Sequence, residues 1–308
     1  MNVLEGRWEG WDPPAGEKSA TIGVLDGVHL GHRALIERLD RSMIPTVLTF
    51  EPHPVEVLRP GTHPRLITTI TERIELLASL GVGCVGVLDL AEIKDQMPDA
   101  FVEDVLVAKL GVAQLVVGED FRFGHDRLGD VALLAELGGA HGYRVEPIPI
   151  VGHDSKAVSS SRIRALLETG RVAEASLLLG SRFRVTEIVV GGDRRGRELG
   201  FPTANLRPPP RKLVPGHGVY ACYAVVEGHT HMAAVNVGVR PTFGGGELLV
   251  EAFLLDFEAD IYGRELTVEF VEHIRPELSF ADADELVAQM RRDVDDIRAI
   301  LGATSPRM

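Results

Sequence analysis

The sequence predicts two domains of different fold class, an α/β domain over residues 1–180 and an antiparallel β domain with a closing helix over residues 181–308. In the first domain, short apolar runs alternate with longer amphipathic segments, which is typical of a parallel sheet covered by helices on both faces. After Gly180 the apolar runs are closely spaced and separated by glycine and proline, which indicates a barrel or a sandwich. A chain of 308 residues is long enough to bury two independent cores.

Five apolar runs of the first domain are predicted strands. They are residues 19–25, 45–50, 84–90, 114–118 and 143–151. Residues 71–80 carry an apolar stripe at helical spacing and Gly81 marks the end of that helix. A second helix is predicted over residues 98–110, because proline stands at its start and Gly111 follows its end.

Five further runs are predicted strands of the second domain. They are residues 183–190, 218–226, 232–237, 248–257 and 266–274. Residues 281–301 repeat apolar side chains on one helical face, and Ser279 with Asp282 three residues on resembles a capping box. The three consecutive prolines at 208–210 predict a stiff surface excursion within this domain, so we expect the domain boundary near Ser181.

Charge and cysteine content exclude several classes of protein. The formal net charge is -13, from 32 Lys and Arg against 45 Asp and Glu, so a basic footprint for nucleic acid or an anionic membrane is not expected. The two cysteines, Cys84 and Cys222, stand far apart in apolar runs, which argues against a disulfide scaffold. No run of 18 apolar residues occurs. We therefore expect a cytoplasmic protein that does not span a membrane.

Two histidines and two glycines lie where the first predicted strand runs into a helix. His29 and His32 stand at the helix start, where free backbone N–H groups and the helix dipole favour a phosphate. Gly27 and Gly31 let a ligand approach the backbone closely. Each imidazole can donate a hydrogen bond to oxygens that gain charge when a phosphoryl centre is attacked. The alternative is a pair of exposed or structurally satisfied histidines.

A second candidate for phosphate binding is the segment 159–164, three serines followed by two arginines in the next three positions. At a helix start, the hydroxyl groups of Ser160 and Ser161, the backbone amides and the guanidinium of Arg164 are donors for a polyphosphate. The alternative is a simple helix cap with solvated arginines.

The second domain has its densest pattern at residues 191–206. Gly192 and Gly196 belong to a pliable loop whose amides can surround phosphates, although no Walker A sequence is present. Thr203 and Asn205 alternate on one face of an extended segment and offer hard oxygen ligands for Mg²⁺ carried by a nucleotide. The alternative is a glycine-rich hairpin with outward polar residues.

Glu251 stands in a predicted strand between the apolar residues Val250 and Ala252, which point to the other face. A carboxylate placed in this way can accept the proton of an attacking alcohol. Otherwise Glu251 is an exposed glutamate of a strand.

Two patterns suggest chemistry that their context does not support. Residues 81–86 fit G-x-G-x-x-G, but they lie between a helix and the next strand, whereas a dinucleotide site requires the order strand then helix. We interpret them as a turn that enters a strand. His29, His32 and His53 could form a zinc site, but the sequence supplies no convincing fixed ligand set.

Several of these segments together resemble one family. Residues 23–32, GVLDGVHLGH, are similar to the HxGH motif of nucleotidylyltransferases in the form found in bacterial bifunctional riboflavin kinase/FMN adenylyltransferases, also called FAD synthetases. Three more segments match in order, namely 49–54 (TFEPHP), 118–124 (GEDFRFG) and 159–164 (SSSRIR). Leu25 stands where the family usually has Phe, and Ser161 where Thr is more usual. Residues 200–205, GFPTAN, resemble the riboflavin kinase motif, and segments 218–220, 236–242, 251–257 and 262–263 follow the same family in order.

The resemblance implies a Rossmann-like nucleotidylyltransferase domain followed by a Greek-key β-barrel riboflavin kinase domain with a C-terminal helix. It implies a bifunctional transferase that phosphorylates riboflavin to FMN with Mg-ATP and adenylylates FMN to FAD with a second ATP, releasing pyrophosphate. ATP, riboflavin and FMN are then the partners, with the flavin as substrate and product.

The resemblance also implies residue roles. For adenylyl transfer, His29 and His32 are catalytic, and ATP is bound by Gly23, Asp120, Ser160, Ser161 and Arg164. For phosphorylation, Glu251 is the catalytic base, ATP is bound by Gly192, Gly196, Thr203 and Asn205, and the metal is held by Thr203 and Asn205. Two alternatives stay open: a nucleotidylyltransferase for another phosphorylated alcohol with an accessory barrel, and a flavin-binding regulator without catalysis.

Overall fold

The structure, a computed structural model, describes residues 1–191, 200–240 and 247–303. The chain divides into two compact units, Met1–Ser160 and Ser161–Met308. The helix α7 (Ser160–Glu168) and the helix α8 (Val172–Leu179) therefore belong almost entirely to the second unit. The functional boundary near Ser181 stays a prediction.

The first unit contains a six-stranded sheet in which all neighbours are parallel, in the order β1-β4-β3-β2-β5-β6. Its strands are β1 (Asn2–Leu4), β2 (Lys18–Ile22), β3 (Ile44–Phe50), β4 (Cys84–Leu88), β5 (Val112–Gly118) and β6 (Arg144–Ile148). The predicted parallel sheet is confirmed. The sequence did not indicate β1, because three residues are too few to show alternation. A two-stranded hairpin, β7 (Gly152–His153) with β8 (Lys156–Ala157), follows the sheet.

Helices cover both faces of this sheet. They are α1 (Leu30–Glu37), α2 (Pro54–Leu58), α3 (Ile70–Ser79), α4 (Leu90–Ile93), α5 (Pro98–Phe101), which continues as the π-helical segment Val102–Lys109, and α6 (Val131–His141). Short 3₁₀ turns occur at Trp8–Gly10 and His125–Arg127. Leu115 of β5 packs into the core that contains Leu106, whereas Val116 packs into the core that contains Leu77. Successive side chains of the strand thus point to opposite cores, as alternation requires.

The order of the strands creates a crevice at one edge of the sheet. From β2 the chain builds outward through β3 and β4, and then returns to add β5 on the other side of β2. At such a point the loops after neighbouring strands diverge, and ligands bind beyond the carboxyl ends of the strands. The segments that follow β2 and β5 therefore border the same crevice. The predicted strand 19–25 ends earlier, at Ile22, which leaves residues 23–29 free to form this loop.

The second unit contains a six-stranded antiparallel sheet in the order β10-β13-β12-β11-β14-β9. Its strands are β9 (Arg184–Ile188), β10 (Ala204–Leu206), β11 (Gly218–Val226), β12 (His229–Arg240), β13 (Glu247–Leu254) and β14 (Glu265–Arg275). The N–H of Val190 donates to the carbonyl of Asn205 (2.9 Å), which joins the first strand of the row to the last and nearly closes a barrel. Strands β14, β11, β12 and β13 are neighbours in this order, which is the Greek-key arrangement. The predicted barrel is confirmed.

The C-terminal helix α9 (Ala283–Gly302) packs against β11, β12 and β14. Ile297 and Leu301 of α9 are buried in a core with residues of the barrel. The predicted capping box of Ser279 and Asp282 is wrong by three residues. Asp282 is itself the N-cap and accepts a hydrogen bond from the N–H of Glu285 (2.9 Å). A carboxylate at this position also interacts favourably with the helix dipole.

Two adjacent glycines of α6 allow a test of packing in the first unit. A Cβ on Gly138 would lie 2.6 Å from the carbonyl oxygen of Tyr143, whereas a Cβ on Gly139 would meet no atom within 4 Å. We expect Gly138→Ala to lower the free energy of unfolding by about 1–3 kcal/mol because of overpacking. Gly139→Ala should raise it by about 1 kcal/mol, since alanine is the better helix former. The two tryptophans, Trp8 and Trp11, both lie in the first unit, so tryptophan fluorescence during urea unfolding measures the effect. Equal effects of the two substitutions would contradict this account of the helix packing.

Candidate functional site

The loop of residues 23–29, which follows β2, has a strained backbone. Leu25 and Val28 have φ angles of 50° and 41°, and Gly27 has a φ angle of 84°. A positive φ is rare for residues other than glycine and is a clear outlier for a β-branched valine. Such conformations persist only where the surrounding structure holds them, and they concentrate at functional sites. Leu25 and Val28 are both buried.

The carboxylate of Asp26 anchors one side of this loop. It accepts hydrogen bonds from the N–H of Ile67 (3.1 Å), the N–H of Thr68 (2.9 Å) and the hydroxyl of Thr68 (3.1 Å). The hydroxyl oxygen of Thr68 also accepts from the N–H of Gly27 (3.0 Å). Asp26 is 1% exposed, so these bonds form away from water and fix the middle of the loop.

The end of β3 anchors the start of the loop. The hydroxyl of Thr49 donates to the carbonyl of Val24 (2.8 Å). Nη1 of Arg73 donates to Oγ1 of Thr49 (2.9 Å) and to the carbonyl of Phe50 (3.1 Å). Sequence reasoning missed Thr68 and Arg73 because their sequence separation from the loop hides the contact, and no local pattern reveals it.

His29 and His32 are brought together at the start of α1, as the sequence predicts. His29 is the N-cap residue, and its ring stacks on that of His32 with centroids 3.6 Å apart and an interplanar angle of 18°. A Cβ on Gly31 would lie 3.1 Å from Cε1 of His29, so the glycine leaves room for this ring. Removal from water holds the pKa of His32 well below its usual value, and the nearby charges of His29 and Arg73 lower this pKa further. His32 is therefore neutral at pH 7, and its Nδ1 is buried with no hydrogen-bond partner among the described residues.

The other predicted residues of the first site lie at the ends of β2 and β5 and on α7. Gly23 directly follows β2, and Asp120 is exposed just beyond β5. Ser160 begins α7, and its hydroxyl donates to the carbonyl of Asp26 (2.9 Å). Ser161 and Arg164 follow on α7 in the second unit, so their contact with the same ATP stays a prediction.

A cavity of about 700 Å³ in the second unit is lined by three of the predicted residues, Thr203, Asn205 and Glu251. The strand register explains why they meet. Asn205 of β10 and Asn236 of β12 both lie directly opposite Glu251 of β13. Directly opposed residues of an antiparallel sheet share one face, so Asn205, Glu251 and Asn236 form a polar row across three strands. Asn236 stands in the matching segment 236–242, but the sequence pattern assigns it no role, because only the pairing of β12 with β13 brings it beside Glu251.

The oxygens at one end of this row suit a magnesium ion. Asn205 is 4% exposed, and its Oδ1 is buried with no hydrogen-bond partner in the part of the chain that the structure describes. Half-buried Thr203 lines the same cavity. A buried amide oxygen that lacks a donor and the hydroxyl of a threonine are both hard oxygen ligands of the kind that Mg²⁺ prefers. The predicted residues Gly192 and Gly196 lie outside the described residues, as do Pro241 and Thr242 of the motif at 236–242.

The rest of the cavity wall is mainly apolar and aromatic. Phe201, Leu254 and Phe257 contribute from the barrel, and Leu286 and Met290 contribute from α9. Such a wall suits a flat aromatic ligand, with the polar row left to orient its polar groups.

The segment 81–86, which fits G-x-G-x-x-G, and His53, a candidate ligand for zinc, both have structural roles. The segment 81–86 leads from the end of α3 into β4, as predicted for a turn that enters a strand. His53 is the N-cap of α2, where its Nδ1 accepts a hydrogen bond from the N–H of Val55 (3.2 Å).

Within residues 1–191, 200–240 and 247–303, no helix is both long and apolar enough to cross a membrane.

Comparison with known proteins agrees with this geometry. The model of the family described as FAD synthetase matches residues 13–162, and the model of the family described as Riboflavin kinase matches residues 179–301. The bifunctional riboflavin kinase/FMN adenylyltransferase of Escherichia coli (strain K12) is 38% identical over 293 residues, which are 93% of this chain and 93% of the relative. The protein of the same name from Listeria monocytogenes serovar 1/2a is 35% identical over 290 residues, 92% of each chain.

A solved structure also resembles this chain over most of its length. It is described as a macrolide-efflux protein from Streptococcus pneumoniae, and it is 29% identical with a TM-score of 0.84. The likeness covers 93% of this chain and 98% of that chain.

The lowered pKa of His32 predicts how the stability of the first unit depends on pH. The usual pKa is 6.5, so the unfolded chain binds a proton on this histidine at a higher pH than the folded chain does. Stability that is present above pH 6.5 is therefore lost as the pH falls towards the folded pKa. We expect His32→Asn to reduce the slope of the free energy of unfolding against pH below pH 6.5. Tryptophan fluorescence in urea at a series of pH values measures this slope. Identical slopes in the two proteins would show that His32 does not titrate in this way.

Proposed function

The chain belongs to the family of bifunctional riboflavin kinases/FMN adenylyltransferases, and we propose that each of its two predicted domains, residues 1–180 and residues 181–308, holds one of the two active sites. The protein is a transferase that phosphorylates riboflavin to FMN and adenylylates FMN to FAD. We propose residues 1–180 as the FMN adenylyltransferase domain and residues 181–308 as the riboflavin kinase domain. The start of the riboflavin kinase match at residue 179 supports this boundary.

In the kinase reaction, we propose that Glu251 is the general base. The terminal ribityl oxygen of riboflavin forms a bond to the γ-phosphorus of ATP while its proton passes to the Glu251 carboxylate. The bond from that phosphorus to the β-γ bridging oxygen breaks and ADP leaves. The observation that carries this assignment is the register of β10, β13 and β12, since it aligns Glu251 between Asn205 and Asn236 inside the cavity.

Thr203 and Asn205 are proposed to hold Mg²⁺ together with the phosphates of ATP. The buried, unpartnered Oδ1 of Asn205 supports this role. When bound, Mg²⁺ offsets the negative charge on the phosphate oxygens. Gly192 and Gly196 are proposed to contact the phosphates through their backbone amides, and the apolar wall to receive the flavin ring.

In the adenylyl transfer, we propose that His29 and His32 donate hydrogen bonds to the oxygens of the α-phosphate of a second ATP. A phosphate oxygen of FMN forms a bond to that phosphorus, the bond to the α-β bridging oxygen breaks, and pyrophosphate leaves. No proton has to be removed from the attacking phosphate. The residues therefore act by position and electrostatics, and a neutral imidazole suffices because one N–H per ring is enough.

Five further residues are proposed to bind this second ATP. Gly23 and Asp120 lie at the ends of β2 and β5 beside the crevice, and Asp120 suits a contact to adenine or ribose. The start of α7, with Ser160, Ser161 and Arg164, is proposed to present hydroxyl groups, backbone N–H groups and a guanidinium to the phosphates.

We further propose a reducing cytoplasm as the location of the protein. Cys84 and Cys222 are both free thiols and both are buried. Burial raises the pKa of each thiol. A protonated, buried thiol is unreactive and has no need of an oxidising compartment.

Two substitutions test whether each proposed domain carries out one of the two reactions. We expect Glu251→Gln to lower kcat for FMN formation about 10²–10⁴-fold, because the general base is lost, and to leave FAD formation from supplied FMN unchanged. We expect His32→Ala to do the reverse, with a loss of about 10²–10³ in kcat for FAD formation. Chromatography of the products from riboflavin or FMN, with ATP and Mg²⁺, measures both steps.

Matched controls separate these roles from general effects. Glu265→Gln changes an exposed glutamate of β14 away from the cavity, and His141→Ala changes an exposed histidine of α6. Both controls should retain both activities. Loss of both steps in both test variants, with unfolding curves like those of the unmodified protein, would contradict two separate sites.

A further inference from the structure

Arg73 is a fully buried arginine to which neither the sequence motifs nor the proposed reactions give a role. Its exposed fraction is 0%. Burial lowers the pKa of its guanidinium, and the nearby carboxylates of Asp26 and Glu51 oppose that effect. A buried charge is a poor source of stability, since its desolvation offsets what its partners contribute. The hydrogen bonds that Arg73 donates indicate a different role for this side chain.

The donors of Arg73 impose a direction on the hydrogen bonds of Thr49. An arginine has donors only, so Oγ1 of Thr49 must accept from Nη1 of Arg73. The single hydroxyl proton of Thr49 is then directed to its other neighbour, the carbonyl of Val24. Thr49 is itself 0% exposed, so water does not compete for these bonds. A relay of two hydrogen bonds thus runs from α3 through the end of β3 to the loop after β2.

This relay supports the part of the loop that Asp26 and Thr68 do not reach. Val24 immediately precedes Leu25, where the strained backbone begins. The loop ends five residues later at His29, whose ring stacks on His32. A displacement of about 1 Å in a catalytic group can lower a rate about 100-fold. Val24 and Asp26 hold the loop on either side of the strained Leu25, so loss of the bond to the Val24 carbonyl leaves only the Asp26 bonds to maintain the backbone path that leads to the two histidines.

We propose that Arg73 and Thr49 are positioning residues for adenylyl transfer, which hold the backbone at Val24 so that His29 and His32 meet the α-phosphate. The inference rests on the proposed function, since that function assigns adenylyl transfer to the two histidines. Arg73 holds Val24 through Thr49, and its charge also lowers the pKa of His32.

The test compares Thr49→Val with Thr49→Ser in the full chain. Valine keeps the shape of threonine but removes the hydroxyl, and serine keeps the hydroxyl. We expect Thr49→Val to lower kcat for FAD formation from FMN about 10–100-fold. The KM values for ATP and FMN should stay within about twofold, since the loop is displaced but its binding groups remain. FMN formation should not change, and Thr49→Ser should keep kcat within about threefold.

Thr46→Val is the matched control. Thr46 lies on the same strand and is also fully buried, but its hydroxyl donates to the carbonyl of Ile44 at the other end of β3 (2.9 Å). Thr46→Val should lower the free energy of unfolding by an amount similar to Thr49→Val, because each loses a buried hydroxyl, without lowering kcat. If Thr49→Val does not fold, Arg73→Lys replaces it, because lysine keeps the charge but is shorter and lacks the planar guanidinium that carries Nη1 to Thr49 and Phe50. Arg73→Lys should then lower kcat at unchanged KM.

Three results would overturn the inference: an unchanged kcat in Thr49→Val, an increase confined to KM, or equal damage from Thr49→Ser. If Arg73→Lys is measured in place of Thr49→Val, an unchanged kcat in Arg73→Lys would also overturn the inference. His32→Ala distinguishes this failure from a failure of the proposed function. If His32→Ala loses FAD formation while Thr49→Val keeps it, the relay alone is wrong. If His32→Ala keeps FAD formation, the assignment of the site is wrong as well.

Discussion

The first site depends on the hydrogen bonds that hold residues 23–29 in a conformation the chain would not adopt alone. Leu25 and Val28 occupy the left-handed region, which costs free energy for residues with a side chain. Asp26, Thr68 and Thr49 offset this cost with bonds formed away from water. The loop therefore exists before any ligand arrives. A site that is ordered in advance avoids the entropy of ordering at the moment of reaction.

The second site depends on strand register. A slip of one residue between β13 and its neighbours would turn Glu251 to the opposite face of the sheet and remove it from the cavity. The register is fixed on both sides, because β13 pairs with β10 through Asn205 and with β12 through Asn236. The same pairs that build the barrel thus set the distance between a base and the oxygens proposed for the metal. In this unit, the strand pairing that forms the fold also forms the candidate site.

The sequence predicted the two fold classes and most of the candidate site, because both depend on local patterns. The alternation of strands and helices predicted the parallel sheet, and the motifs at His29 and Thr203 marked the segment after β2 and a segment that lines the cavity of the second unit. Thr68, Arg73 and Asn236 could not be found in this way, since their roles arise from contacts between distant segments. The capping box at Ser279 failed because several acidic and hydroxyl residues precede α9, and only the folded chain selects Asp282.

Both proposed reactions require that one chain holds two separate nucleotide sites. Calorimetric titration of the full chain with an ATP analogue that supports neither transfer, in the presence of Mg²⁺, counts these sites. We expect two nucleotides bound per chain at saturation, one for each proposed domain. Saturation with a single nucleotide per chain would show that the two sites are not separate.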